Sequence, residues 1–268
     1  MPKVTVAIAM FVVSAISATA AHAATTSPWT GPYVGGFIAG KSAVFRGGTQ
    51  VNPSQNDYFL PTSFPAIASA SAFHRTSNAT NGDLVAGFNK DFGALGRGRL
   101  IIGLEGEIES GHLAVASAVT ATYPCCADLT YSITQSVRLR GQTAVRLRVG
   151  RATGHHMIYV TAGLAAAKAR LDAHLNDDLQ ANETVGGSAS KTLTGWSTGI
   201  GGEFRFARSW TFRAEYVLAD LGKLTATGKA IVPGSIVLNL EGQPFSGALI
   251  HTASVRTSTV RVGFIYHM

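Results

Sequence analysis

The run Gly195–Gly222, GWSTGIGGEFRFARSWTFRAEYVLADLG, alternates aromatic and charged residues with a period of two. A two-residue period is the spacing of a β-strand, whose successive side chains leave opposite faces. Trp196, Ile200, Phe204 and Phe206 share one face, opposite Gly199, Gly201, Glu203 and Arg205. After the break at Ala207–Ser209 the split resumes, with Trp210, Phe212, Tyr216 and Leu218 opposite Arg213 and Glu215. This is a hairpin with one apolar face and one ionic face. A soluble sandwich or lipocalin-like barrel also accommodates one such hairpin, so compartment and strand number decide between the readings.

The N-terminus, MPKVTVAIAMFVVSAISATAAHA, has a basic start at Lys3, an apolar stretch from Val4 to Ile16 and the small-residue site Ala21-His22-Ala23. That pattern predicts a secretory leader over 1–23, cleaved after Ala23, and a single domain over 24–268. No later segment offers the roughly 20 unbroken apolar residues that a spanning helix needs. Charged residues make up only 14% of the chain, yet the mean hydropathy is just +0.19. Alternation of lipid-facing and lumen-facing residues averages to such a value. The net charge of +7 falls to +6 when Lys3 leaves with the leader. It suits contact with outer-membrane lipid and anionic lipopolysaccharide, and export argues against a nucleic-acid partner.

Period-two segments recur along the chain, separated by alternating long and short gaps. They cover 33–41, 83–92, 100–109, 137–149, 157–170, the opening hairpin and 255–268, with short connections GALGRGR, RATGHH and ARS. The long gaps are 42–81, 110–134, 171–191 and 222–252. The fold class expected is all-β: an eight-stranded antiparallel transmembrane β-barrel with short periplasmic turns and long extracellular loops. A helix over Leu164–Gln180 is the competing local reading, since Ala, Leu and Lys favour helix; strand running into loop is preferred.

Face assignment then predicts the interior. Leu100, Ile102, Leu104 and Ile108 oppose Glu105, Glu107 and Glu109, while Val137, Leu139, Val145, Leu147 and Val149 oppose Arg138, Arg140, Arg146 and Arg148. With Glu203, Arg205, Arg213, Glu215 and Arg261 these form an expected lumen charge network of structural role. Burying such charges singly is costly, so they should pair. An eight-stranded barrel is narrow enough for side chains to fill, which argues against a wide static pore. Trp29, Tyr33, Trp196, Trp210, Phe212, Tyr216 and Tyr266 are expected in interfacial girdles. Phe212→Arg, on the lipid face, is expected to impair insertion more than Arg213→Gln in the lumen.

The segments WTGPYVGG at Trp29, IGLEGEIE at Ile102, TAVRLRVG at Thr143, IYVTAGLA at Ile158 and RSWTFRAEYVLADLG at Arg208 carry a family resemblance. Together the chain resembles the alphaproteobacterial outer-membrane β-barrel surface proteins, which include surface antigens of brucellae and rhizobia and are distantly similar to the OmpA transmembrane barrel. The resemblance covers nearly the whole mature chain. It implies a non-enzymatic outer-membrane protein with a structural and surface-interaction role in the cell envelope, with no cofactor and no catalytic residues to carry over. A small porin-like channel is the alternative, and haemin binding, described for some relatives, is a further one. The family's chains usually end on Phe, whereas this one ends TVRVGFIYHM. Val260, Val262, Phe264, Tyr266 and Met268 keep the alternation, so the resemblance implies a retained signal to the barrel-assembly machinery with an altered last residue.

Rival chemistry is thin. HRTSNA, His74–Ala79, is similar to the His-x-Ser-Asn-Ala motif of lipid A deacylases, but its spacing is one residue too long and it sits beside the first long gap. Ser77 and Asn78 read better as loop residues. His74, His112, His174 and His251 fall near the expected extracellular end without a diagnostic spacing for haem iron. Cys125 and Cys126 are neighbours and cannot staple distant segments; a vicinal disulfide or a plain loop feature are the readings for them.

Overall fold

The computed structural model describes residues 27–178, 184–231 and 246–268. The expected leader over 1–23 lies outside the described residues, as do parts of the third and fourth long gaps. Eight strands and one helix follow in order: β1 (Gly31–Asn56), α1 (Ser63–Ser71), β2 (Phe73–Leu95), β3 (Gly98–Tyr123), β4 (Cys126–Thr153), β5 (His156–Asp177), β6 (Thr184–Arg205), β7 (Trp210–Ile231) and β8 (Ser246–His267). Each strand pairs antiparallel with its sequence neighbours, and β1 pairs with β8 to close the ring. The chain is an eight-stranded antiparallel β-barrel.

The strands run to between 22 and 28 residues. A tilted strand crosses the hydrocarbon core in about 9–11 residues, so roughly half of each strand stands beyond the membrane. An apolar belt marks the crossing: Ile38, Leu84, Leu104, Ile108, Leu147, Val160, Leu164, Ile200, Tyr216 and Val262 are all exposed on the outer wall. Aromatics crowd its periplasmic edge, where Trp210 stacks edge-on to Tyr266 at 5.2 Å and Phe212 meets Phe264 at 5.8 Å. Trp196 is outward as expected, but Trp29 and Tyr33 are not girdle residues. They are buried, because β1 turns Val34 and Ile38 to lipid and the opposite parity inward.

Much of what reads as loop in the sequence is strand. The segment 110–134 is nearly all β3 and β4, joined by a tight turn at which Cys125 and Cys126 are disulfide-bonded. AVASAVTATY keeps a two-residue period of small, β-compatible side chains, so its polarity marks where the strand leaves lipid, not where it ends. HRTSNA lies within β2 and is not a loop, and the candidate helix over Leu164–Gln180 is strand as far as Asp177.

Two strands change parity where glycine adopts a left-handed backbone. In β4 the register shifts between Arg140 and Gln142, with Gly141 at φ +54°; in β7 it shifts between Asp220 and Lys223, with Gly222 at φ +81°. Glycine takes this conformation without the steric cost a Cβ brings, and one extra residue flips every side chain beyond it to the other face.

The interior is consequently layered. At the periplasmic mouth lie Trp29, Ile101, Ala152, Met157 and Tyr159. A charged layer follows, and above the bulges comes an Ala and Leu layer that includes Leu113, Val137, Leu139, Leu171, Leu224 and Val255. The extracellular mouth holds a third apolar layer in which α1 inserts Ile67, fully buried, among Val51, Phe59, Tyr131 and Leu249.

Candidate functional site: a buried charge network in the barrel

The charged layer is built by strands that reach it with the same inward parity. Lys41 from β1, Asp83 from β2, Glu105, Glu107 and Glu109 from β3, Arg146 and Arg148 from β4, Glu203 and Arg205 from β6, Arg213 and Glu215 from β7, and Arg261 from β8 are all buried. Among the described residues these buried groups comprise six cations and six carboxylates. The layer is self-neutralising, which is what burial of charge requires.

Its centre is Glu105. Tyr33 donates its hydroxyl to Glu105 Oε2 at 2.9 Å, Arg146 Nη2 lies 3.0 Å from Oε1, and Arg213 forks onto both oxygens, with Nη2 3.1 Å from Oε1. Arg261 joins Glu107 at 2.8 Å and Glu215 at 2.7 Å, and Arg213 joins Glu215 at 3.0 Å. Arg146 also pairs with Glu107, and Arg148 with Glu203. Aromatic faces complete the cage. The guanidinium of Arg148 sits 3.6 Å from the ring centre of Tyr159, and that of Arg261 sits 4.5 Å from Phe37. Desolvated cation–π contacts of this kind add to the ion pairs.

Above the centre, Lys41 pairs with Glu109 and donates to Gln142 Oε1 at 2.9 Å, while Gln142 donates to Glu109 Oε1 at 3.2 Å. Carboxylate oxygens of Asp83, Glu107 and Glu109 converge here, all buried, with Lys41 and Arg261 as their counter-charges.

The network includes most of the sequence-expected residues and leaves out three. Glu105, Glu107, Arg146, Arg148, Glu203, Arg213, Glu215 and Arg261 meet as described. Arg205 turns toward the periplasmic mouth, where it donates to the carbonyls of Pro28 and Arg208 and lies 4.7 Å from the Trp29 ring. Arg138 and Arg140 are not in the lumen. The Gly141 bulge sends them to the outer wall and brings Val137 and Leu139 inside, so strict alternation through 137–149 misplaces four side chains. Lys41, Asp83, Tyr33, Tyr159 and Gln142 are lumen partners that the sequence reading missed. Parity could have found Lys41, which shares the Tyr33 and Phe37 face of β1, and Asp83, which stands beside outward Leu84.

The other candidates are placed apart. His74, His112 and His174 are exposed on β2, β3 and β5, whereas His251 is buried, its Nδ1 2.7 Å from the Thr49 hydroxyl, so the four share no surface. Val260, Val262, Phe264, Tyr266 and Met268 all face outward on or just after β8.

Comparison with known proteins agrees with this architecture. A family model for the outer membrane protein beta-barrel domain matches residues 11–267. The chain belongs to that family. Over 80 residues it is 41% identical to the 31 kDa outer-membrane immunogenic protein of Brucella melitensis, a match covering 30% of this chain and 32% of that protein. Thus the alignment spans about a third of the curated relative. The counterpart from Brucella suis matches to the same extent. Among solved structures, outer membrane protein OprG from Pseudomonas aeruginosa superposes with TM-score 0.44 at 11% identity, over 89% of this chain and 96% of that one. The outer membrane protease OmpT from Escherichia coli gives TM-score 0.43 at 6% identity, over 92% and 99%. The protein is an outer-membrane β-barrel.

Proposed function

We propose that this barrel is a plugged, non-enzymatic scaffold of the cell envelope: its interior gives stability, and its outer wall and extracellular extension make its interactions. The observation that carries this reading is the charge-balanced network at the level of the apolar belt, capped above by packed Ala and Leu. Six carboxylates paired with Lys41, Arg146, Arg148, Arg213 and Arg261, and balanced by a sixth cation, Arg205, held on carbonyls at the periplasmic mouth, leave little net charge to draw ions through. Fully buried guanidinium groups such as Arg146, Arg213 and Arg261 fill the narrow bore. The same groups do not suit hydrolysis, because each carboxylate of the central cluster is held by cations. A nucleophile needs a base within hydrogen-bond reach and an open site for substrate. The outward alternation Val260, Val262, Phe264, Tyr266 and Met268 serves the barrel-assembly machinery during insertion.

Planar-bilayer recording of the refolded chain tests the plug. The expected result is an electrically silent membrane in which heat-modifiable gel mobility shows the barrel to be folded. Reproducible unitary conductance from folded protein would replace the scaffold with the small-channel reading.

A further inference from the structure

The Gly141 bulge that removes Arg138 and Arg140 from the lumen delivers them to a particular place. On the outer wall Arg138 stands directly across from Arg170, and Arg140 directly across from Lys168, on the paired strands β4 and β5. His112 of β3 faces Arg140 from the other side. All five side chains are exposed. Like charges directly opposite one another on one sheet face destabilise the pairing, since their Cβ atoms are only about 4.5–5.5 Å apart. The one carboxylate at hand, Asp172, is engaged by Arg170 at 2.8 Å. That hydrogen bond holds Asp172 below the usual carboxylate range. Among the described residues no carboxylate forms an ion pair with Arg138, Arg140 or Lys168.

The shelf also has a defined height. The next outward residues toward the periplasm are Thr143 and Ala166, then Val145 and Leu164, then Leu147 and Ala162, which belong to the lipid-facing belt. Along β5, Lys168 and Arg170 stand four and six residues beyond Leu164, so on a tilted strand they lie roughly 9–14 Å above that belt residue, at the level of the outer headgroups. At this depth the outer leaflet presents its anionic headgroups. A planar guanidinium fork matches a phosphate with two parallel hydrogen bonds, and Lys168 adds a point charge.

We propose that Arg138, Arg140, Lys168 and Arg170 form a binding shelf for the phosphate groups of lipopolysaccharide seated against the β4–β5 wall. The bound anion supplies the ion-pair partner that Arg138, Arg140 and Lys168 lack, Arg170 being already engaged by Asp172, while the acyl chains of the same molecule lie on Val145, Leu147 and Leu164. This inference depends on the outer-membrane location and not on whether the lumen conducts.

The test uses the full barrel refolded into nanodiscs of zwitterionic lipid, with binding read by native mass spectrometry. The probes are diphosphorylated lipid A, the same glycolipid without phosphates, inorganic phosphate alone and a sulfated polysaccharide. The charge-matched variants are Arg138→Gln with Arg140→Gln, and Arg46→Gln with Arg256→Gln on the opposite wall. The first pair should weaken diphosphorylated lipid A binding at least tenfold, the second less than twofold, and loss of the phosphates should match the first pair. Lys168→Gln alone should cost about threefold, which keeps the shelf testable if the double variant folds poorly. In lipid free of lipopolysaccharide the Arg138, Arg140 variant should be at least as stable as the parent, because it relieves repulsion. A merely structural role requires the reverse. Equal losses from the two walls would reduce the effect to net charge and overturn the site. Equally tight binding of inorganic phosphate, or tighter binding of the polysaccharide, would overturn the lipid assignment.

Discussion

Arg213 on β7 reaches Glu105 on β3, the strand diametrically opposite in the closed ring, with Nη2 3.1 Å from Oε1. The two residues lie 108 positions apart in sequence. A contact across the full bore ties opposite walls together in a way that no ladder between neighbouring strands can. Glu105→Gln keeps the shape but leaves Arg213 and Arg146 short of a carboxylate. Removing one partner of a buried pair costs about 3–5 kcal/mol, and that loss is expected in reversible urea unfolding from lipid vesicles. Replacing Glu105 and Arg213 together by Met should cost less than the sum of the two single changes, because neither then leaves an orphaned charge. Additive losses would show that the pair is not coupled.

The neighbours Phe212 and Arg213 exchange their expected order of importance once the structure is known. Arg213 is fully buried and engages Glu105, Glu203 and Glu215, so water cannot cushion its loss. Phe212 is partly exposed near the periplasmic start of β7, among aromatics of the lower girdle. A lipid-facing arginine costs about 2–4 kcal/mol at the midplane but about 0–1 near an interface. Arg213→Gln is therefore expected to destabilise the barrel more than Phe212→Arg in the same bilayer. A larger loss for Phe212→Arg would restore the ordering drawn from alternation alone.

Alternation made the ring of strands, the belt and the members of the central network readable from sequence, because lipid and lumen impose opposite polarity on alternate residues. It failed at Arg138 and Arg140 for a local reason: one glycine inverts the parity, and nothing in VRLRGQTAVRLRVG distinguishes a bulge glycine from an ordinary strand glycine. It also understated the strands beyond the belt. There the outer face meets water, the contrast fades to Ala, Ser and Thr, and a strand resembles a polar loop. Trp29 shows a third limit, since a tryptophan near a membrane edge serves a girdle or a plug equally well, and only its position beneath Arg205 decides.

Gly141 itself is open to test. A Cβ there would meet nothing closer than the Glu109 carbonyl at 3.7 Å, so space is not the constraint; φ of +54° is. Gly141→Ala should cost about 1–2 kcal/mol through the left-handed backbone alone. Gly141→Asn should cost less, since Asn visits that region more readily than Ala. Equal costs for the two variants in vesicle unfolding would locate the requirement in packing instead.

The extracellular extension carries its own pH dependence, centred on His251. This residue lies on β8 beyond Arg256, above the apolar belt and within the barrel, where its Nδ1 meets the Thr49 hydroxyl at 2.7 Å. Burial, with a contribution from nearby His174, pushes its pKa down to about 4. The unfolded chain, with a histidine near 6.5, takes up the proton first as pH falls. Stability from keeping His251 neutral is thus fully present above pH 6.5 and is lost as pH drops from 6.5 through 4. The sign follows because the unfolded state binds more protons over that window. The full effect is on the order of 2–3 kcal/mol at pH 4, and it falls on the mouth that holds α1 rather than on the charged layer. Hydrogen exchange should therefore show the amides of 246–255 and of α1 losing protection between pH 6.5 and 4.5. In His251→Gln, which cannot titrate, the same amides should keep a pH-independent protection after the intrinsic exchange rate is factored out. An unchanged pH response in that variant would assign the acid sensitivity to the carboxylates instead.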